Sequence, residues 1–446
     1  MHDPTIHPVR WHRFPFPSER LLWLLLLLSV LFVPAVLNPH WLKILERTLA
    51  LLGILAFGDW FFTLGRPFTI ERHLPDRVTL DHPVTVTLKF IPRRPYPLHV
   101  QLDDDLPGEF TTRDLPIKAR LKANPKSFHY VFYPIRRGCF HLRALYLWIG
   151  GPLGLVYRPY RYPLPAATHV YPDFREAIRL YLKWKHPNRR TGIRRDTAVG
   201  IGTEFHMLRL YQAGDDWRTI DWHATARLRH PHVRVYHREL QKNIIVVLDS
   251  SRVMGTRWHG KSRLDYAVAA AANLIYLALS LGDRVRIMTY DHTVRWRTGW
   301  LRLGYPLESW LEPLVNLDVK TAEPNFETIG AEILFNSGSD AFIVWLTSLA
   351  DPRARPEFIQ LLKTLSRRSP VLMLNLQDPA YRFVLRRQPE KIQDAYAAAY
   401  VTRALASLEV LDDALRRHGI TVIRPDDPSL VRELMETFVR LRGELR

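Results

Sequence analysis

The sequence predicts an α/β chain, with a doubly wound, mostly parallel sheet in its C-terminal half. A β-sandwich domain and an N-terminal transmembrane helical hairpin are expected ahead of it. Three observations predict this. Two apolar runs, 21–37 and 48–64, lie near the N-terminus. Apolar and polar residues then alternate over 84–90, and from residue 244 onward short apolar runs alternate with segments of helical period.

At 446 residues the chain is too long for one ordinary core, and two or three folded units are expected. With hydrophobic residues at 47% and charged residues at 24%, it is neither disordered nor wholly embedded in membrane. Its one cysteine, Cys139, has no internal partner for a disulfide, which fits a reducing compartment. Lys and Arg number 63 against 44 Asp and Glu, a net charge of +19 that attracts phosphates. Nucleic acid and anionic lipid are the usual partners of such a surface. The apolar N-terminus favours the lipid bilayer, and no specific nucleic-acid partner is expected.

The run 21–37 has no charge, and 48–64 has one acid, Asp59. A span needs about 20 apolar residues, and both runs are near the short limit. Trp23, Trp41 and Trp60 are placed as interfacial anchors, and 38–47 is short enough for a tight hairpin. A cleaved signal peptide is the alternative, with Arg10, Arg13 and Arg20 ahead of the run, but Val36 and Leu37 do not give a small-residue cleavage site. Basic residues before the first run, with Arg66 and Arg72 after the second, place both ends and the soluble domains in the cytoplasm. Lys43 and Arg47 in the connection oppose that vote. Asp59 is expected to be interfacial and hydrated. The resulting localisation is the cell membrane, with two spans.

Over 66–172 the period is that of strands. Val84, Val86, Leu88 and Phe90 alternate with Thr85, Thr87 and Lys89, and Phe140 to Tyr146 repeats the pattern less cleanly. Turn signals at 92–97, 107–108 and 150–152 separate the runs, as in an antiparallel sandwich. Asp103, Asp104 and Asp105 read as a solvated turn. Residues 173–203 form a basic linker with Arg189, Arg190, Arg194 and Arg195.

The last domain, 204–446, holds apolar strands at 244–248, 285–290, 342–346, 371–376 and 420–423, with helical segments between them. Ser262 and Asp265 stand three apart as a capping box, and Gly282 ends the helix they start. Ligands of such sheets sit at the carboxyl ends of the strands. Asp249, Ser250 and Ser251 fall there.

Three chemistries compete in this region. Gly255 to Ser262 matches the phosphate-loop pattern G-x-x-x-x-G-K-S, but Ser250 to Met254 separate it from the strand end, and Trp258 and His259 crowd it. Asp249 and Ser251 offer hard oxygens to Mg²⁺, too few by themselves. His223, His230, His232, His237 and Glu239 crowd one stretch without zinc-ligand spacing. No catalytic constellation stands out.

The stretch 202–227 is dense in charged and aromatic residues: Glu204, Arg209, Tyr211, Asp215, Arg218, Asp221, Trp222 and Arg227. It resembles the signature of the bacterial and archaeal domain-of-unknown-function family fifty-eight. Arg137-Gly138 and Gly151-Pro152-Leu153-Gly154-Leu155 resemble that family's R-G and D-P-x-G-L segments, with Gly151 in place of Asp. The resemblance implies a two-span anchor, a β-rich domain and a von Willebrand factor A-like fold, often encoded beside a MoxR-type AAA+ ATPase and a transglutaminase-like protein. It implies no reaction. The A-type fold usually holds a metal through D-x-S-x-S, a threonine and a later aspartate. Here Val253 replaces the second serine and Thr347-Ser348 stands where a Ser-Asp pair is common, with Asp351 out of register. The metal site is therefore degenerate.

In the signature, Glu204, Asp215 and Asp221 are expected to pair with Arg209, Arg218 and Arg227, as a structural weld or as a docking surface. The expected function is a membrane-anchored scaffold or adaptor binding a protein such as the ATPase. The alternative is a nucleotide- or metal-dependent enzyme using 249–262.

Overall fold

The computed structural model describes residues 15–30, 32–33, 39–65, 67–122, 124–185, 199–212, 215–237, 241–258, 260–336, 341–349, 356–377, 380–424 and 429–444. The chain divides into two units, Met1–Pro172 and Asp173–Arg446.

The first unit contains strands β1 (Phe16–Pro17), β2 (Phe68–His73), β3 (Arg77–Thr79), β4 (Val84–Pro92), β5 (Leu98–Asp104), β6 (Phe110–Thr112), β7 (Ile117–Leu121), β8 (Lys126–Pro134), β9 (Gly138–Gly150) and β10 (Val156–Tyr171). One sheet runs β1-β10-β9-β5-β7, with β3 paired to β10, and the other runs β2-β4-β8-β6. Alternation decides which residues face inward. On β4, Val84, Val86, Leu88 and Phe90 are buried while Thr85 and Lys89 are exposed. They join Tyr130 and Phe132 of β8, Leu98 and Leu102 of β5 and Leu147 of β9 in one core drawn from both sheets. Each such side chain contributes about 1.5–3 kcal/mol on burial.

Asp104 is not in a solvated turn. It ends β5 as a buried carboxylate, paired with Arg72 and accepting the Tyr130 hydroxyl at 2.5 Å. Arg72 also donates to the carbonyl of Leu164 at 2.7 Å. Burial pushes the Asp104 carboxyl up, and Arg72 and Tyr130 offset this only in part.

The expected transmembrane hairpin is overturned, and with it the multi-pass membrane localisation. Among the described residues, no helix is long and apolar enough to cross a membrane. The first apolar run gives helix α1 (Glu19–Ser29), whose 11 residues rise only about 16 Å against a hydrocarbon core of about 30 Å. The second belongs to α2 (Pro39–Phe62), which takes into the helix the His40, Lys43, Glu46 and Arg47 expected in a connection. Between Arg47 and Asp59 only eleven uncharged residues remain. Apolar side chains such as Leu26, Leu27, Ile54 and Phe57 are exposed along both helices.

Asp59 is buried rather than hydrated. Its carboxylate accepts the backbone N–H groups of Leu153 (2.8 Å), Leu155 (2.7 Å) and Val156 (3.2 Å). The same turn receives α1, because the N–H of Ser18, its N-cap, donates to the Leu155 carbonyl at 2.9 Å. Gly151 has to lack a side chain, since a Cβ there would overlap both the carboxylate and the carbonyl of Asp59. Gly154 takes a φ of +67°.

The second unit opens with α3 (Arg175–Lys185), which covers the first part of the expected linker. The four linker arginines lie outside the described residues. Strands β11 (Val199–Leu210) and β12 (His232–His237) form an antiparallel pair, with α4 (Trp222–Leu228) between them in sequence. The main sheet uses β13 (Asn243–Asp249), β16 (Arg284–Tyr290), β17 (Val294–Arg297), β18 (Ala341–Thr347), β19 (Val371–Asn375) and β20 (Ile420–Ile423). Its order is β17-β16-β13-β18-β19-β20, parallel except at β17. A small ladder, β14 (Arg257–Trp258) with β15 (Lys261–Ser262), precedes α5 (Arg263–Ser280). The remaining helices are α6 (Leu307–Val315), α7 (Phe326–Asn336), α8 (Pro356–Ser366), α9 (Ala380–Arg386), α10 (Ile392–Arg416) and α11 (Leu430–Glu444).

Helices cover both faces of this sheet, which is why β13 and β18 are apolar throughout. Phe326 of α7, Phe358 of α8 and Leu415 of α10 share a core with Ile245 and Trp345. Phe342, which alternates with Trp345's side of the strand, stacks on Phe438 of α11 at 5.6 Å. The chain is thus mixed α/β with several sheets.

Removing the Asp59 clasp leaves three N–H donors without their acceptor, at about 1–3 kcal/mol for each that stays buried. Asp59→Ala and Gly151→Ala are both expected to lower the urea midpoint of the full chain, while Leu27→Ala, on the exposed side of α1, leaves it nearly unchanged. Equal midpoints for Asp59→Ala and the parent chain would refute the clasp.

Candidate functional site

β13 delivers Asp249 to the carboxyl end of the sheet, beside Thr347 at the end of β18 and Tyr290 at the end of β16. The Thr347 hydroxyl donates to Asp249 Oδ2 at 2.6 Å, and the Ser251 N–H donates to Oδ1 at 2.8 Å. Burial pushes the Tyr290 hydroxyl well above its ordinary pKa, and the neighbouring Asp249 charge adds to the shift. Trp345 Nε1 donates to the Tyr290 oxygen at 3.0 Å. The segment 317–325 closes this end with backbone bonds: Lys320 N–H to the Ser250 carbonyl (2.9 Å), Arg252 N–H to Ala322 (3.0 Å) and Asn325 N–H to Asp291 (2.8 Å). Asp249, Ser250 and Ser251 have no exposed surface as a result.

The expected crevice is therefore an interior polar cluster. The resemblance implies a divalent cation here, and the residues present do not fit one. Among the described residues Asp249 is the one carboxylate of the cluster, and both its oxygens already accept donors. The next acid, Asp291, is held by the Thr293 N–H at 3.0 Å and Arg295 at 2.5 Å. Ser251 Oγ is buried without a hydrogen-bond partner, one hydroxyl where Mg²⁺ takes six oxygens. Asp351 lies outside the described residues. Among the described residues no group of three or more His, Cys, Asp or Glu is placed to hold a metal, and His232 Nδ1 lies 2.7 Å from the His230 carbonyl. The side chains of His237 and Glu239 are outside the described residues.

The phosphate-loop pattern folds as a hairpin. Arg257 pairs with Ser262 and Trp258 with Lys261 across a turn in which Gly260 has a φ of +82°. Ser262 caps α5 reciprocally with Asp265, so its hydroxyl serves the helix. A strand ladder engages the backbone groups that a phosphate cradle would aim at its ligand.

The signature segment is arranged differently, with one charge pair held at its surface and its aromatics turned out. Arg209 holds Asp215 in a two-pronged pair, both contacts at 2.6 Å, and Asp215 also accepts the Gln212 N–H at 2.9 Å. The Arg209 hydrogen bonds, then the Gln212 amide, hold the Asp215 carboxyl down at about 2. Asp216 caps the short turn Trp217–Thr219, and Asp221 caps α4 through the Ala224 N–H at 3.1 Å. Arg218 lies over the Trp217 ring, 5.6 Å from its centre. Of the expected ion pairs, the structure brings together Arg209 and Asp215. Asp221 acts as a cap, Arg218 serves an aromatic ring, Arg227 is exposed in the last turn of α4, and the Glu204 side chain lies outside the described residues.

Trp217 and Trp222 are each 66% exposed, with Leu210, Tyr211 and Leu228 also open to solvent. No pattern in the sequence marks Trp217, Leu210 and Leu228 as surface residues, because apolar residues in a folded segment read as core. Nor does any point to Tyr290.

Residues 207–299 match a family model described as protein of unknown function DUF58. The similarity to DUF58 lies in this segment. It runs from β11 through α4, β13 and α5 to the end of β17, taking in both the aromatic surface and Asp249. Uncharacterized proteins of Mycobacterium tuberculosis strain H37Rv and of Mycobacterium bovis are each 44% identical over 88 residues. That is 19% of this chain, and the match spans 27% of the length of those curated relatives. Among solved structures, a protein of unknown function from Porphyromonas gingivalis W83 is 16% identical over 24% of this chain and 50% of its own, with a TM-score of 0.20. The human seminal-plasma complex of zinc 2-glycoprotein and prolactin inducible protein is 18% identical over 24% of this chain and 98% of its own, with a TM-score of 0.18. Such scores assign no fold. These matches carry neither the von Willebrand factor A assignment nor the ATPase neighbour expected from the DUF58 resemblance.

The Arg209–Asp215 pair sets a pH dependence. The folded value of Asp215 is lower than its unfolded value of about 3.9, so its stabilisation is complete above that value and is lost as pH falls through about 2. Carboxyl-carbon NMR is expected to give a midpoint near 2 for Asp215, rising toward 3.9 in Arg209→Ala. A midpoint near 4 in the parent chain rules the pair out.

Proposed function

We propose that the chain is a binding protein, an adaptor or scaffold that engages a protein partner through the exposed aromatic face of its DUF58 segment. The observation that carries this reading is the exposure of Trp217 and Trp222 on turns fixed by side-chain caps. Exposed tryptophans held this way are the residue type that dominates interface energetics, and their rigidity lowers the entropy lost on binding. Arg218, Arg227 and Arg229, neighbours of the tryptophans in sequence, are exposed, which favours an acidic partner surface. The resemblance to DUF58 proteins makes a MoxR-type AAA+ ATPase the first partner to test.

The full chain is to be titrated with the purified MoxR-type ATPase of the same genome, using fluorescence anisotropy. Trp217→Ala and Trp222→Ala are each expected to weaken binding by about 10-fold or more, since buried interface tryptophans cost about 2 kcal/mol or more on truncation. Affinity should also fall as salt rises, because the arginines are exposed to screening. No saturable binding would dismiss this ATPase as the partner. Binding that survives the double tryptophan variant would dismiss the surface.

A further inference from the structure

We infer that the Thr347 hydroxyl occupies the role of a divalent cation at the carboxyl end of the main sheet, making the Asp249 cluster a closed, metal-independent plug. The first observation is that both oxygens of Asp249 are engaged. A carboxylate offers about four lone-pair sites. Thr347 Oγ1 donates to one oxygen at 2.6 Å and the Ser251 N–H donates to the other at 2.8 Å.

The second observation is the identity of the residue facing Asp249. Thr347 ends the neighbouring parallel strand, and the pairing of β13 with β18 runs in register up to Leu248 and Leu346, bringing the next pair of residues side by side. An acid at 347 would put two carboxylates within contact distance in a buried site, a repulsion that calls for a cation or a proton. A threonine there removes one charge and supplies the donor that the other needs. A neutral hydroxyl thereby does without an ion what a bridging cation would do with one.

The third is closure. Lys320 and Arg252 tie 317–325 across the strand end by backbone bonds, and Asp249, Ser250 and Ser251 are sealed beneath it. Mg²⁺ dehydrates reluctantly and usually keeps several of its waters. A sealed cluster with one carboxylate among the described residues gives it neither room for that water nor the oxygens to replace it.

The test is thermal unfolding of the full chain in EDTA and in millimolar MgCl₂. The parent chain is expected to melt within about 1 °C in the two conditions, because a ligand that binds neither state leaves Tm unmoved. Thr347→Ser should melt near the parent, and Thr347→Val well below it in both conditions. Thr347→Asp should melt below the parent in both conditions, since the sealed end admits no ion to offset the second charge. Saturable Mg²⁺ stabilisation of the parent chain that Asp249→Asn abolishes would overturn the inference. So would a Thr347→Val chain that melts like the parent. If Thr347→Asp does not fold, the parent chain and the Thr347→Val variant decide the matter by themselves.

Discussion

A carboxylate taken out of water must be met by donors, and much of this structure is organised by that requirement. Desolvating one such group costs several kcal/mol even after relaxation, so a buried acid without partners would unravel its surroundings. Asp59 meets three backbone N–H groups of the turn at 153–156, and Asp104 meets Arg72 and Tyr130. In the second unit Asp249 meets Thr347 and the Ser251 N–H, while Asp283 meets Arg442 at 2.6 and 2.8 Å and the Lys242 N–H at 3.0 Å. Each acid joins elements far apart in the sequence. Apolar burial supplies most of the stabilisation, and these pairs fix which strand end or helix end meets which.

The same requirement separates the two halves of the DUF58 segment. Around Asp249 the polar groups satisfy one another, and the chain closes over them. Around Arg209 and Asp215 the charges pair in a surface hairpin, and caps at Asp216 and Asp221 take up the free N–H groups of the next two turns. With its polar groups satisfied locally, the hairpin does not need its tryptophans as core. They are left facing solvent beside ends that Asp216 and Asp221 cap.

The sequence-level picture succeeds where side-chain periodicity decides the outcome and fails where a distant residue does. Val84 to Phe90 could be assigned to a strand face from alternation alone, and the doubly covered strand 244–248 from its unbroken apolar run. The capping box of Ser262 and Asp265 is a local motif, and it forms. Asp59 was legible only as an acid near the end of an apolar stretch, because its partners lie over ninety residues away. Each apolar run suggests a span because it is nearly free of charge by itself, while the second helix that forms takes in Lys43, Glu46 and Arg47 as well. Asp104 was misplaced for the same reason, since nothing nearby announces Arg72. The phosphate-loop pattern is the converse case: its spacing of Gly, Lys and Ser, set too far from the strand end for a phosphate cradle, is met by a hairpin turn and a helix cap.

Placing partner binding on the aromatic hairpin, rather than at the strand ends, follows from accessibility and charge together. A ligand reaching Asp249 would have to break the backbone bonds that hold 317–325, and would then face a carboxylate whose donors are already in place. Binding at the hairpin breaks nothing. A net charge of +19 draws an acidic surface toward the chain from a distance, but beyond about 10 Å at 0.1 M salt that attraction is largely screened. Steering therefore selects the sign of the partner, while the burial of Trp217 and Trp222 on contact decides whether it stays. The arginines beside them serve both ends: Arg218 presents its charge to the approaching surface while its guanidinium covers the Trp217 ring that the same surface must bury.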